Sequence, residues 1–95
     1  MTGADPNRIE LELEIVNEQG LHMRPVMRLT EAASQFKCDL RVNKEDRSAD
    51  LRSPFEMMLL EAPKGTRLRL VATGEDAQAA VAAIVQIVQD KFGEP

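Results

Sequence analysis

The sequence predicts an α+β domain, an open-faced sandwich in which a four-stranded antiparallel sheet carries three helices on one face, in the order βαββαβα. Three observations predict it. Residues 9 to 15 alternate strictly between apolar and acidic side chains, the period of a strand covered on one face only. Two segments, one around Pro25 and one from Asp76, carry apolar residues at helical spacing. Short alternating runs stand between them, and one-sided strands interleaved with one-sided helices form a single core when the helices share one sheet face.

The first strand places Ile9, Leu11, Leu13 and Ile15 on one side and Glu10, Glu12 and Glu14 on the other. Its outward glutamates indicate a sheet face open to water. After Asn17-Glu18-Gln19-Gly20, the spacing of Val26, Leu29, Ala33 and Phe36 is helical. Pro25 suits the first turn of that helix, where a missing N–H costs nothing. Leu40 and Val42 alternate with Asp39 and Arg41 in a second strand, and after a polar turn Arg47 to Leu51 returns as a third. Ser53-Pro54-Phe55-Glu56 then has the form of a helix start, with serine as N-cap, proline next, and a glutamate three residues on to complete a capping box. This second helix is expected to run through Leu60 and stop near Pro63. Leu68 and Leu70 alternate with Arg67 and Arg69 in a fourth strand that continues to Ala72 and breaks at Gly74. Ala77, Ala80, Val81, Ile84, Val85 and Val88 form the stripe of a third helix that persists to Phe92. Residues 1–7 read as a loose tail, 8–92 as the domain and 93–95 as a C-terminal tail.

Composition narrows the function classes. A chain of 95 residues, 43% of them hydrophobic, makes one domain too small for a deep substrate cleft. No apolar run approaches a membrane span, and the polar N-terminus has no signal-peptide pattern. A net charge of −4, no tryptophan or tyrosine and only three phenylalanines argue against nucleic-acid binding. One cysteine and one histidine are poor material for a disulfide or a metal site and favour a reducing, cytoplasmic compartment. Cys38 reads as a buried or half-buried thiol. No Walker-type loop is present, so no nucleotide site or cofactor is expected.

His22, the single histidine, stands between a glycine turn and a helix start. A side chain there faces the unpaired N–H groups of the first turn, here those of Met23, Arg24 and Val26, and that end of a helix favours phosphate. Imidazole is a competent nucleophile near neutral pH, so a phosphoramidate can form there. Arg24 is placed to pair with phosphoryl oxygens. Without a nucleotide site, the phosphoryl group would arrive from one protein and leave to another. Ser53 has a sufficient structural reason to be serine, as an N-cap. Phosphorylated, it would set about −1.5 to −2 charges beside Pro54, Phe55 and Met58. Met57 and Met58 fit core positions, and part of the stripe with Phe55 also suits an exposed docking surface.

Gly20-Leu21-His22-Met23-Arg24-Pro25 resembles the active-site signature of the HPr family, the histidine-containing phosphocarriers of the bacterial sugar phosphotransferase system. Ser53-Pro54-Phe55-Glu56-Met57-Met58 through Lys64-Gly65 resembles that family's regulatory serine helix and the turn after it, at the family spacing from the histidine. The likeness covers Ile9 to Lys91, and the element order is the family's. It implies that His22 accepts a phosphoryl group from phospho-enzyme I and passes it to the A domain of a sugar permease. Arg24 would steady the group, and Pro25 would shape the helix start. Ser53 would be the site of an HPr kinase/phosphorylase, and Phe55 and Met58 part of the docking face. Met23 and Val26 replace smaller residues beside the histidine, and Glu31 and Ser34 stand where better-known members carry lysines. Pro54 follows the serine in place of an ordinary apolar residue, and Glu61 stands in place of a glycine. Three readings follow: a phosphocarrier acting through His22, a regulatory binding protein controlled at Ser53, and an unphosphorylated interaction module. A monomer suffices for each.

Overall fold

The computed structural model describes residues 7–94, so the expected tail at residues 1–7 lies outside them except for Asn7. Along the chain come β1 (Arg8–Glu14), α1 (Met23–Ala33), β2 (Asp39–Lys44), β3 (Arg47–Asp50), α2 (Pro54–Leu59), β4 (Arg67–Thr73) and α3 (Ala77–Gln89). The sheet order is β1-β4-β2-β3 and every pairing is antiparallel. β1 runs against β4 from Arg8 opposite Thr73 to Glu14 opposite Arg67, so the two alternating patterns turn the same way. This is the α+β open-faced sandwich that the patterns predict.

The inward side chains meet the helices. Leu40, Leu70 and Ala72 are fully buried, and against them pack Val26 and Ala33 of α1, Met57 of α2 and Ala80 and Ile84 of α3. Each large buried aliphatic side chain contributes roughly 1.5–3 kcal/mol relative to exposure, so this layer dominates the stability of the sandwich. The outward face is charged, with Glu10 and Glu12 paired to Arg69 and Arg67 across β1 and β4. Such exposed pairs are worth about 1 kcal/mol or less and set solubility more than stability.

Three helix ends depart from expectation. α1 stops at Ala33, and the helical spacing out to Phe36 continues only as tight turns, with Gln35 N–H on Ala32 O and Phe36 N–H on Ala33 O. α2 ends at Leu59, because Glu61 adopts φ +55°, a left-handed conformation that no α-helix continues through. Glycine takes that conformation without a Cβ penalty, which would give the glycine that the resemblance leads one to expect here a physical reason. Here two cations cover the helix end: Lys44 Nζ donates to the carbonyls of Leu60 and Glu61, and Arg47 Nη1 to that of Leu59. α3 ends at Gln89 rather than Phe92, and Lys91–Gly93 form a 3-10 turn in which Lys91 and Phe92 take φ +56° and +57°. Burying Phe92 to 2% exposure contributes roughly 2–3 kcal/mol and offsets its left-handed cost of roughly 1–2 kcal/mol.

The capping box is half formed. Ser53 Oγ accepts from Glu56 N–H at 3.2 Å, as predicted, but Glu56 Oε1 takes the N–H of Asp50 at 3.0 Å rather than that of Ser53. Ser53 N–H donates instead to Asp50 O, so the reciprocal bond has no free donor. Asp76, at the head of α3, likewise makes no cap bond to its own helix. Its two carboxylate oxygens accept the N–H groups of Lys37 and Cys38 at 2.8 and 2.9 Å, tying α3 to the α1–β2 connection. Cys38 is buried, and desolvation pushes its thiol up to about 11.

Candidate functional site

The site begins with a turn that only glycine closes. Gly20 has φ +69°, and a Cβ there would lie 2.6 Å from Ala62 O. That close approach lets Leu21 N–H donate to the same Ala62 carbonyl at 2.8 Å, which fastens the turn to the α2–β4 connection. Asn17 opens the turn fully buried, its Nδ2 donating to Gly20 O at 2.8 Å. With the turn fixed from two sides, His22 emerges at the N-cap of α1 with extended backbone, φ −117° and ψ −171°.

The ring does not cap its helix. His22 makes no side-chain bond to the first turn, and its Nε2 lies 3.0 Å from Glu94 Oε1. Of the three donors expected to face a phosphate, Val26 N–H is already committed to His22 O at 3.1 Å, the first bond of the helix. The N–H groups of Met23 and Arg24 keep the first-turn position that has no carbonyl partner within the helix. Pro25, buried in the same turn, offers none.

Glu18, Gln19, His22, Arg24 and Glu94 line a cleft of about 260 Å³. The His22 side chain is 35% exposed, open enough for a partner's group to reach it. Arg24 makes no ion pair among the described residues, which leaves its guanidinium available to an anion in the cleft. Glu94 Oε1 also accepts from Asn17 Nδ2 at 2.9 Å, while Asn17 Oδ1 is buried without a partner among the described residues. The bond from His22, then that from Asn17 and the nearby positive charge of Arg24, hold the Glu94 carboxyl below its usual range against the cost of burial.

Sequence reasoning did not find Glu94 or Asn17. Glu94 lies 72 positions from His22 and in the expected C-terminal tail, of which residues 93 and 94 are instead held by the 3-10 turn. Left-handed backbone at a lysine and a phenylalanine has no sequence signal, and only Gly93 hints at a reversal. Asn17 looked like an ordinary polar turn residue, and nothing local indicates that it is buried.

Ser53 is not among the residues lining this cleft. It caps α2 beside a separate apolar surface, where Phe55 is 74% exposed and Met58 37% exposed. Met57 points into the core and Met58 outward, so the stripe divides between the two roles considered for it. Met23 and Met27 of α1 are also exposed. Among the described residues there is no group of three or more His, Cys, Asp or Glu that could hold a metal ion, and no helix long and apolar enough to cross a membrane.

Residues 9–90 match the family described as the PTS HPr component phosphorylation site. Phosphocarrier protein HPr of Neisseria meningitidis serogroup A is 36% identical over 86 residues, covering 90% of this chain and 97% of that one. The multiphosphoryl transfer protein of Haemophilus influenzae is 40% identical over 91 residues, but this chain, matched over 93% of its length, spans only 18% of that protein. Among solved structures, an HPr from Thermoanaerobacter tengcongensis superposes with a TM-score of 0.88 at 33% identity, covering 92% of this chain and 98% of that one. With the family's fold, its phosphorylation-site match and relatives aligned over most of its length, the chain belongs to the HPr family of phosphotransferase-system phosphocarriers.

Proposed function

We propose that His22 takes a phosphoryl group from phospho-enzyme I and passes it to the A domain of a sugar permease, in the cytoplasm and without a cofactor. The observation that carries this reading is the open cleft at the head of α1, where His22 stands beside Arg24, which makes no ion pair among the described residues, and the first-turn N–H groups of Met23 and Arg24. A helix N-terminus and a guanidinium both favour the anionic group that arrives. Arg24 steadies the phosphoryl oxygens, and buried Pro25 holds the first turn so that the N–H groups of Met23 and Arg24 keep their direction. The exposed Phe55 and Met58, with Pro54 at the head of α2, supply apolar area to a docking partner.

Incubation with phosphoenolpyruvate and enzyme I is expected to give acid-labile label that chases onto a permease A domain. His22→Ala abolishes it, and label retained by that variant overturns the reading.

A second reading concerns Ser53 and is favoured by its place beside the exposed Phe55 and Met58. A phosphate there puts charge next to the docking face and weakens an apolar partner's hold. With ATP and an HPr kinase/phosphorylase, acid-stable label is expected on wild type and none on Ser53→Ala. No label on wild type with a cognate kinase removes this second reading and leaves the first standing.

A further inference from the structure

The fold treats its methionines in two ways. Met57 is buried in the core, whereas Met23, Met27 and Met58 are open to water, Met23 at 55% exposure and Met27 at 42%. On α1 the core takes Pro25, Val26, Leu29 and Ala33. Met23 and Met27, four residues apart, share a different strip of that helix. His22 and Arg24, on either side of Met23 in the chain, both line the cleft. Any protein that reaches the partly exposed ring of His22 therefore comes down beside Met23. A thioether is apolar and adaptable, which suits such a contact. It is also easily changed by an oxidant: the sulfoxide is polar and chiral, and its formation is reversible.

We propose that Met23 and Met27 form a reversible oxidation site: hydrogen peroxide converts their exposed thioethers to sulfoxides, which slow phosphoryl transfer at His22 until a dithiol reductant restores them. The effect on transfer rests on His22 being the acceptor. In the step, a sulfur lone pair attacks one peroxide oxygen. The S–O bond forms as the O–O bond breaks, and the departing hydroxide takes the proton of the transferred oxygen and leaves as water. Sulfur loses an electron pair and the peroxide gains it. Reversal oxidises the dithiol to a disulfide, and the sulfoxide oxygen leaves as water. While it is present, that oxygen must give up its own water each time a partner closes over the head of α1, and an apolar contact offers it nothing in return. Met57, shielded by the core, keeps its thioether.

The test treats the whole chain with hydrogen peroxide and maps the added oxygen by peptide mass spectrometry. The same samples are then assayed for label taken from phosphoenolpyruvate through enzyme I. Wild type is expected to gain an oxygen at Met23 and at Met27. Met57 gains one about tenfold more slowly or less, because a buried sulfur is reached only when the fold opens. The initial rate of labelling falls about tenfold, the size expected when a polar oxygen enters an apolar contact. The circular-dichroism spectrum stays that of the folded protein. Methionine sulfoxide reductase with a dithiol restores both the thioethers and the rate. In Met23→Leu/Met27→Leu, where Met58 is still open to peroxide, the treated sample labels as fast as its own untreated control. Oxidation of Met57 as fast as Met23, a rate that oxidation leaves unchanged, a loss that tracks unfolding, or an equal loss in the double variant overturns the inference while leaving His22 as acceptor. Untreated wild type that enzyme I does not label overturns the acceptor reading instead, and the effect on transfer with it.

Discussion

At position 20 a side chain has nowhere to go. With φ +69° and a Cβ 2.6 Å from Ala62 O, alanine would meet both backbone strain and a backbone clash. Gly20→Ala is expected to cost about 2 kcal/mol or more in chemical denaturation and to displace His22, lowering phosphorylation even where the protein still folds. A variant as stable and as readily labelled as wild type would show that the turn does not fix the site. That His22 and Arg24 line one cleft was legible because their placement is local: a nucleophile and a cation in one signature at a helix start. Glu94 was not, because its contact with His22 depends on a chain reversal 72 positions away, made by residue types that do not announce it. The ring's orientation was misjudged for the same reason, since a carboxylate from outside the helix outcompetes the cap. Local patterns point to a candidate group; long-range packing decides which way it points.

Among the elements, α2 shows how an end is set by a few backbone angles. Its six residues stop where Glu61 turns left-handed, and Glu61→Gly should relieve that strain and stabilise the protein by about 0.5–1 kcal/mol. The exposed Arg47–Glu61 pair that the change removes is worth less than the strain. A fall in Tm would mean that the pair and the added freedom of the unfolded chain outweigh it. At the other end, Ser53→Ala loses the Glu56 N–H bond and should cost about 1 kcal/mol, a shift to separate from any regulatory effect at this residue. The four strands were legible because period-two patterning survives wherever one face is buried, but not their ends: Ile15 and Leu51, read as strand, lie just past β1 and β3. The helix ends were less so: apolar spacing carried α1 and α3 on paper through Phe36 and Phe92, which are held by tight turns rather than α-helix. Buried spacing marks which residues face the core, and it does not mark where the i to i−4 hydrogen bonds cease.

For the molecule as a whole, charge and burial predict behaviour with pH and reagents. The Asp76 carboxyl, held below its ordinary 3.8 chiefly by Lys37 N–H, and that of Glu94, held below 4.5 chiefly by His22, both bind a proton less readily folded than unfolded. Their stabilisation is therefore present above about pH 4.5 and lost as pH falls through the folded values. Tm should drop between pH 5 and pH 3, and Asp76→Asn should flatten that drop; an equally steep drop in the variant would remove Asp76 from the account. Cys38, with its thiol pushed up to about 11 by burial, should stay unreactive toward a disulfide reagent at pH 7 until the protein unfolds. The fold frames all of this: the α1 and α2 surfaces carry the exposed Met23, Met27, Phe55 and Met58, while the opposite sheet face is a lattice of paired charges. The central claim, that the cleft at the head of α1 makes His22 a phosphoryl acceptor, has one direct measurement. Intact mass spectrometry after incubation with phosphoenolpyruvate and enzyme I should show one added phosphoryl group, removed by mild acid and absent from His22→Gln. An acid-stable adduct, or the same adduct on the variant, would contradict it.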